Sequence, residues 1–190
     1  MYLLRSIALL LFFTFLFAQD EEITIKDLYE RDGLFYAPGQ DSTFTGTVAG
    51  SWENGIKKLD YTYKDGKYDA KWSTWFSNGQ PEEEIEYQIG VKNGIHKQWY
   101  RNGQQKFERT YKLGIHDGKW TEWYENGQSM VEGSFLDGKP DGTWIYWFPN
   151  GQKKEEGNPV SSDSTGLAFL NNGLWTYWHA NGQMKETGNY

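Results

Sequence analysis

The chain has 190 residues, enough for one domain or one repeat array, and its lack of cysteine excludes disulfides and thiolate zinc sites. Aromatic residues make up 18% of it, with ten tryptophans, although 24% is charged and the mean hydropathy is -0.79. The net charge of -7 and the pI near 5.0 argue against nucleic acid or an anionic membrane surface as a partner. Rings concentrated in so polar a chain predict exposed or thinly covered aromatic surfaces.

The N-terminal segment predicts export. An apolar run with one interruption extends from Ile7 to Ala18 and follows Arg5. The run is too short to span the hydrocarbon core of a bilayer comfortably, and Ala18 precedes a polar, acidic start at Gln19. We therefore predict that residues 1–18 are a secretory signal peptide and that the mature chain is periplasmic or secreted, with an uncleaved anchor as the alternative.

Residues 19–43 precede a repeat array. Within them, residues 23–43 contain an Asp-Gly pair and the aromatic pair Phe35-Tyr36. We expect this segment to cap the exposed edge of the first hairpin, because arrays need protected ends.

From residue 44 to 190 the chain is periodic, and an Asn-Gly pair marks the period. The pairs recur every 24 residues four times and then after 31, with a seven-residue insertion within 159–172. They begin at Asn54, Asn78, Asn102, Asn126, Asn150 and Asn181. Asn-Gly is a strong hairpin signal, because a type I′ turn needs positive φ at both central residues. A second break, such as "DGKPDG", divides each of the six copies into two strands. We therefore predict an all-β antiparallel sheet of about twelve strands.

The register of this sheet follows from the loops. If Asn-Gly is a two-residue loop, residues equally distant from it pair across the hairpin. Gly133, Gly157 and Gly188 then each lie opposite a tryptophan, which can cover the bare backbone. This pattern defines face one, which is apolar and also carries an aromatic residue three positions before most of the loop glycines. The tryptophans of face one seven positions before a loop glycine are Trp72, Trp120, Trp144 and Trp175.

Face two carries a second column of tryptophans beside charged residues. These tryptophans stand four positions before a loop glycine: Trp75, Trp99, Trp123, Trp147 and Trp178. The predicted charged neighbours are Lys58, Lys106, Lys154 and Lys185 and the acidic column Asp60, Glu84, Glu108, Glu132 and Glu156. Two interpretations stay open: every tryptophan stacks between hairpins as architecture, or face two binds a partner through apolar area, cation–π contacts and charge.

The stretch "GKWTEWYENGQSMVEGSFLDGKPDG" contains an aromatic pair, Asn-Gly, Glu-Gly and Asp-Gly in an order that recurs in several copies. It resembles the MORN-repeat variant, a bacterial relative of the membrane occupation and recognition nexus repeat, and the resemblance covers about residues 44–190. The chain departs from the pattern at Ser51, which replaces a tryptophan, and at the insertion. The resemblance implies an elongated single-layer sheet of stacked hairpins that acts as an interaction scaffold; some members carry an antitoxin-like label.

The candidates for catalysis or metal binding are few. His96, His116 and His179 are far apart, and two of them replace aromatic residues of the repeat, so we interpret all three as structural. The serines of residues 161–164 lack a nucleophile-elbow pattern. Successive acidic residues of face two are two strands apart, about 9.5 Å, which is too far to share one ion. We predict no enzyme activity, no cofactor and no metal.

The predicted function is that of an exported, non-enzymatic scaffold for protein–protein interaction at the cell envelope. The predicted hot spot is Trp99, Trp123 and Trp147, with help from Glu108 and Glu132. Carbohydrate binding, with cell-wall glycan stacked on face-two tryptophans, is one alternative. Antitoxin-like neutralisation of a partner protein is another.

The C-terminal edge is a further candidate surface. Tyr190 occupies a repeat position, so the last strand is expected to leave an edge open for pairing, unless Lys185 and Glu186 blunt it. The chain is then either a monomer or self-associates through this edge.

Overall fold

A computed structural model describes residues 23–161 and 169–189 of the chain, which form fourteen strands. The predicted signal peptide, most of the insertion and Tyr190 lie outside these residues. The strands are β1 Tyr29–Arg31, β2 Leu34–Tyr36, β3 Gly46–Ser51, β4 Lys57–Lys64, β5 Lys67–Trp75, β6 Pro81–Gln88, β7 Val91–Trp99, β8 Gln105–Lys112, β9 Ile115–Trp123, β10 Ser129–Leu136, β11 Lys139–Trp147, β12 Lys153–Ser161, β13 Phe169–Trp178 and β14 Met184–Asn189.

Strands β3 to β14 form one antiparallel sheet in which every strand pairs with its neighbours in the chain. The sheet has twelve strands, with β3 and β14 at its edges, and β1 and β2 form a separate hairpin. This topology confirms the predicted array of consecutive hairpins. Among the described residues, no helix has the length and hydropathy needed to cross a membrane.

The sequence predicted type I′ turns at Asn-Gly, and this prediction is wrong. In one such loop the N–H of Gly127 donates to the C=O of Tyr124, and the N–H of Tyr124 donates to the C=O of Gln128, both at 2.9 Å. Gly127 has a φ of +82°, whereas Asn126 is not left-handed. This is a three-residue loop in which a type I turn ends at a left-handed glycine. The other five Asn-Gly loops have the same two hydrogen bonds.

Asparagine has a different function in these loops, which we call the proximal loops. Asn126 Oδ1 accepts a hydrogen bond from the N–H of Gln128 at 3.0 Å, which fixes the turn. Its Nδ2 donates to the C=O of Pro149, in the next proximal loop, at 2.8 Å. Equivalent bonds to the next loop are made by Asn54, Asn78, Asn102 and Asn150. The asparagines therefore tie successive repeats together.

Type I′ turns occur at the opposite end of the strands, in what we call the distal turns. Asp137 and Gly138 have φ values of +48° and +78° and form the two-residue loop between the paired residues Leu136 and Lys139. Three other distal turns have the same pair of positive φ values: Asp65-Gly66, Ile89-Gly90 and Leu113-Gly114. These four distal turns therefore share one backbone conformation, although their first residue is aspartate in two of them and isoleucine or leucine in the others.

The predicted register is confirmed. Trp120 pairs with Gly133, and Trp144 pairs with Gly157. The three-residue loop shifts the pairing by one residue, and a bulge between Ser129 and Val131 shifts it back. The longer loop and the bulge shift the pairing in opposite directions. Beyond the bulge, each side chain therefore lies on the face expected from the sequence.

Face one holds most of the buried core. Val48, Trp144 and Trp175 are at most 1% exposed. The sequence predicted that Gly133 and Gly157 are each covered by the tryptophan opposite them across the proximal loop, which is wrong. A Cβ at Gly133 would overlap the ring of Trp144, and one at Gly157 would overlap the ring of Trp175. Each ring leans across the distal hairpin, so it joins its own repeat to the preceding one.

The N-terminal cap packs on face one. Ile25, Leu28 and Phe35 contact the cluster that contains Val48 and Tyr63. We expected the cap to cover the edge of the first hairpin. Within the described residues β3 has a strand neighbour on one side only, and residues 24–26 of the cap lie beside β3 across a cavity.

Candidate functional site

The five predicted face-two tryptophans are the last residues of β5, β7, β9, β11 and β13, and all are half-buried. For three of them, Trp75, Trp123 and Trp147, a side chain of the preceding repeat donates to the backbone carbonyl. The hydroxyl of Tyr100 donates to the C=O of Trp123 at 2.9 Å, and that of Tyr124 donates to the C=O of Trp147 at 2.7 Å. The structure therefore brings Trp75, Trp99, Trp123, Trp147 and Trp178 into one column of partly exposed rings.

The acidic column of face two is a ladder of ion pairs. Lys97 Nζ lies 3.2 Å from Glu108 Oε2, and Lys71 Nζ lies 2.8 Å from Glu84 Oε1. Burial raises the pKa of Glu108, but hydrogen bonds from Gln105 and Lys97 outweigh it and hold the pKa below its ordinary value. Glu108 is therefore ionised in its pair with Lys97, and the column presents paired charges of both signs beside the tryptophans.

The predicted lysine partners of this column are wrong by one residue. Lys57 and Lys153, not Lys58 and Lys154, pair with Asp60 and Glu156. Lys58 Nζ instead lies 4.5 Å from the Trp52 ring centroid. Lys154 Nζ lies 3.1 Å from the carboxylate of Glu155, on face one. The cause is the bulge after each proximal loop, because one extra residue reverses the alternation of side chains before it.

A stripe of exposed aliphatic side chains was missed by the sequence analysis. Six of the nine large apolar side chains that are exposed in the described part of the chain lie at the distal end of the central repeats. We call these residues the distal stripe: Ile89, Val91, Ile95, Leu113, Ile115 and Leu136.

The strand residues of the distal stripe lie on face two, and Ile89 and Leu113 stand in the turns at its end. Lys92 pairs with Tyr87 on face one, and His116 pairs with Tyr111 on the same face. The preceding residues Val91 and Ile115 therefore point to face two. Val91 lies against Gly114 of the next distal turn, and Ile115 lies against Gly138. The stripe is therefore continuous from repeat to repeat. Contiguous exposed apolar surface of this kind marks interaction sites.

Two residues of the stripe have a strained backbone. Ile89 and Leu113 each have a φ of +50°, at a turn position where Asp65 and Asp137 stand in the neighbouring repeats. Aspartate tolerates the left-handed region, whereas a β-branched residue such as isoleucine is an outlier there. Leu113 is also 69% exposed, so packing does not compensate for the strain. The sequence signal for the stripe is this change from Asp-Gly to Ile-Gly and Leu-Gly.

The histidines of the central repeats belong to face one. His96 is buried, and its Nε2 lies 2.8 Å from Glu83 Oε1 while its Nδ1 lies 3.3 Å from Lys92 Nζ. His116 packs against Tyr111, with 4.4 Å between ring centroids. Burial, together with the charges of Arg109 and Lys92, lowers the pKa of His116 to about 4. Both side chains are held within the face-one core.

No group of three or more histidine, aspartate or glutamate side chains with the arrangement of a metal site occurs in the part of the chain that the structure describes. A cavity of about 770 Å³ lies between residues 24–26 and the strands β3 and β4. Its lining contains no residue of the acidic column or of the distal stripe.

The fold and these surfaces define an open, single-layer repeat protein with one packed face and one accessible face. A family model described as MORN repeat variant matches residues 68–88, 92–113, 117–137, 140–158 and 171–190, more than half of the chain. The chain therefore belongs to the MORN repeat variant family, which is generally non-enzymatic and whose repeats suggest an interaction role. No match was found among the curated proteins.

Proposed function

We propose that this protein is a non-enzymatic scaffold that binds another protein through face two. The observation that carries the proposal is the distal stripe, where Ile89 and Leu113 are at once exposed and strained. An exposed side chain in an unfavourable backbone conformation contributes nothing to folding, so a partner is the simplest reason for it.

The rest of face two suits a protein partner. The stripe and the tryptophan column run along its two margins, and the acidic column with its lysine partners lies between them. A partner that covers this face meets apolar area at both margins and charge in the middle, which combines affinity with specificity. Trp99, Trp123 and Trp147 are the proposed hot spot of the proximal margin, with Glu108 and Glu132 beside them.

The proposed place of action is the cell envelope. The apolar run from Ile7 to Ala18 supports export of the mature chain. Mass spectrometry of envelope fractions should find an N-terminus at Gln19. A chain that retains Met1 would indicate an anchor instead.

Site-specific photocrosslinking in intact cells tests the binding proposal. A photoreactive phenylalanine analogue in place of Leu113 should form an adduct that protease treatment removes and muramidase treatment does not. The control is the same analogue in place of Asp41, which is exposed in the N-terminal cap. Equal adducts at both positions, or an adduct that only muramidase removes, would contradict the proposal, and the second result would favour a glycan.

A further inference from the structure

The proximal loops form a hydrogen-bonded ladder whose two ends are complementary. Each asparagine donates to the carbonyl just before the asparagine of the next loop, as Asn102 does to Glu125 at 2.9 Å. At one end, the equivalent acceptor is the Glu53 carbonyl, and none of the described residues donates to it. At the other end, Asn181 Nδ2 turns back to its own loop and donates to Gln183 Oε1 at 3.2 Å.

Glycine packing along the same loops shows the same complementarity. The Oε1 of Gln104 would lie 2.8 Å from a Cβ at Gly127, so the glutamine of one loop rests on the glycine of the next. Gly103, Gly151 and Gly182 are covered in the same way by Gln80, Gln128 and Gln152. Gly55, in the first loop, has no atom of the described residues within 4 Å of its Cβ position.

The backbones of the two edge strands are also complementary. β14 and β3 each have one strand neighbour in the described sheet. Within the array, the residue five positions after a loop glycine pairs with the residue six positions before the next one, as Glu132 does with Ile145. Continued into a second copy, this antiparallel register places Thr187 of β14 opposite Ala49 of β3. It also places Glu186 opposite Gly50.

The surface around Gly50 has room and charge for Glu186. The cavity of about 770 Å³ between residues 24–26 and β3 is lined by Gly50, Lys26 and Lys58. Gly50 contributes no side chain, and the two lysines outnumber Glu53, the one carboxylate of the lining. Glu186 on β14 is 49% exposed and faces the same side of the sheet as Gly50. The carboxylate of one copy can therefore enter the cavity of another.

We propose that copies of this chain associate head to tail, with β14 of one copy adding to β3 of the next. Asn181 then donates to the Glu53 carbonyl of the next copy, Gln183 covers its Gly55, and Glu186 enters its lysine-lined cavity. The two contacting surfaces are different, so the association is heterologous and open-ended. Each added copy extends face two without covering it. This self-association is independent of the binding partner proposed above.

Cysteine crosslinking tests the register, because the natural chain has no cysteine. Facing residues of adjacent antiparallel strands have Cα atoms about 4.5 to 5.5 Å apart, within disulfide range. The double variant Ala49→Cys/Thr187→Cys should therefore form covalent dimers, trimers and longer chains on oxidation. In the control Thr47→Cys/Thr187→Cys the Cα atoms would be about 8 Å apart, too far for a disulfide. It should yield less than about a tenth of the product.

Three results would overturn the proposal. One is equal crosslinking of the two double variants, which would mean random collision of edges. Another is a covalent dimer from Thr187→Cys alone at comparable yield, which would mean that β14 pairs with β14. The third comes from the unmodified protein: a monomer mass at all concentrations in sedimentation velocity. We expect a mass that rises with concentration, and Glu186→Lys should weaken the association about tenfold or more.

Discussion

Trp144 and Trp147 lie three residues apart on one strand and have different surroundings. Trp144, on face one, is 1% exposed and covers Gly133 of the preceding repeat. Trp147, on face two, is half-buried beside the acidic column. The difference shows how a sheet one layer thick can be stable: one face supplies the core between repeats, and the other face is left accessible. The predictions below test this division, beginning with the largest expected effect.

Substitution of the two tryptophans should separate the faces. Trp144→Ala should lower the free energy of unfolding by about 3 to 5 kcal/mol, because it leaves a cavity over Gly133. Trp147→Ala should cost roughly half as much or less, because its ring is partly solvated already. Urea unfolding followed by tryptophan fluorescence measures both. Equal losses would mean that face two is as structural as face one. With a partner in hand, Trp147→Ala should also weaken binding by about 1 kcal/mol or more.

The hydrogen bonds between successive proximal loops provide a second test of what stabilises the array. Asn126→Ala removes the hydrogen bonds to Gln128 and Pro149 and should cost about 1 to 3 kcal/mol. Asn181→Ala is the matched control, since Asn181 makes no bond to a following loop within the described residues. It should cost about half as much. If the two variants lose the same stability in urea, the ladder between repeats does not hold them together.

Gly127→Val probes the left-handed position of the same loop. It should cost about 1 to 3 kcal/mol, because valine is strained at a φ of +82° and its Cβ would meet Gln104. Full tolerance of valine in thermal unfolding would show that the loop differs from the one described.

The pH dependence of stability reports on the burial of His116. Its pKa is about 4 in the folded chain, against about 6.5 when unfolded. Between these two pKa values the unfolded state binds more protons than the folded state. The free energy of unfolding therefore has its full contribution from neutral His116 above about pH 6.5 and loses it as the pH falls towards 4. His116→Phe should flatten this part of the curve of unfolding free energy against pH. An unchanged slope in the variant would mean that another group causes it.

The comparison of sequence with structure shows which features alternation can predict. The strand pairs, the two faces and the tryptophan column follow from period and spacing, because side chains of a strand alternate strictly. The turn type did not follow, since Asn-Gly fits both a type I′ turn and a type I turn that ends in a left-handed glycine. The lysine partners failed for a related reason. The hydropathy of a bulge residue such as Lys58 does not distinguish it from its neighbours, yet the bulge reverses the alternation of side chains between the two faces.

The distal stripe could not be predicted from composition. Four of its six residues look like ordinary strand residues. The change from Asp-Gly to Ile-Gly and Leu-Gly marks the turn position, and the coordinates add that Ile89 and Leu113 are exposed there. The covering of glycines was also beyond the sequence. Gly133 has tryptophans on both neighbouring strands, and the lean of the rings decides which one contacts it.

The smallest stability effect is expected at a left-handed residue within a strand of the array and outside the stripe. Ala70 has a φ of +58° at a position where Gly94 and Gly118 stand in the next repeats. Ala70→Gly should therefore raise the unfolding free energy by about 0.5 kcal/mol. Ala49→Gly, at an ordinary strand position, should lower it by about as much. A loss in both variants would contradict the strain at Ala70.

The central claim is that the distal stripe serves binding and not folding, and one double variant tests it most directly. Ile89→Asn/Leu113→Asn places a residue suited to the left-handed region at both turns, and Asp137→Asn is the matched control. Unfolding free energy and affinity for the crosslinked partner are measured on the same samples. We predict that the double variant is at least as stable as the natural chain and binds the partner more than about tenfold more weakly, while the control changes neither. Normal binding by the stable double variant, or a loss of stability that accounts for the loss of binding, would contradict the claim.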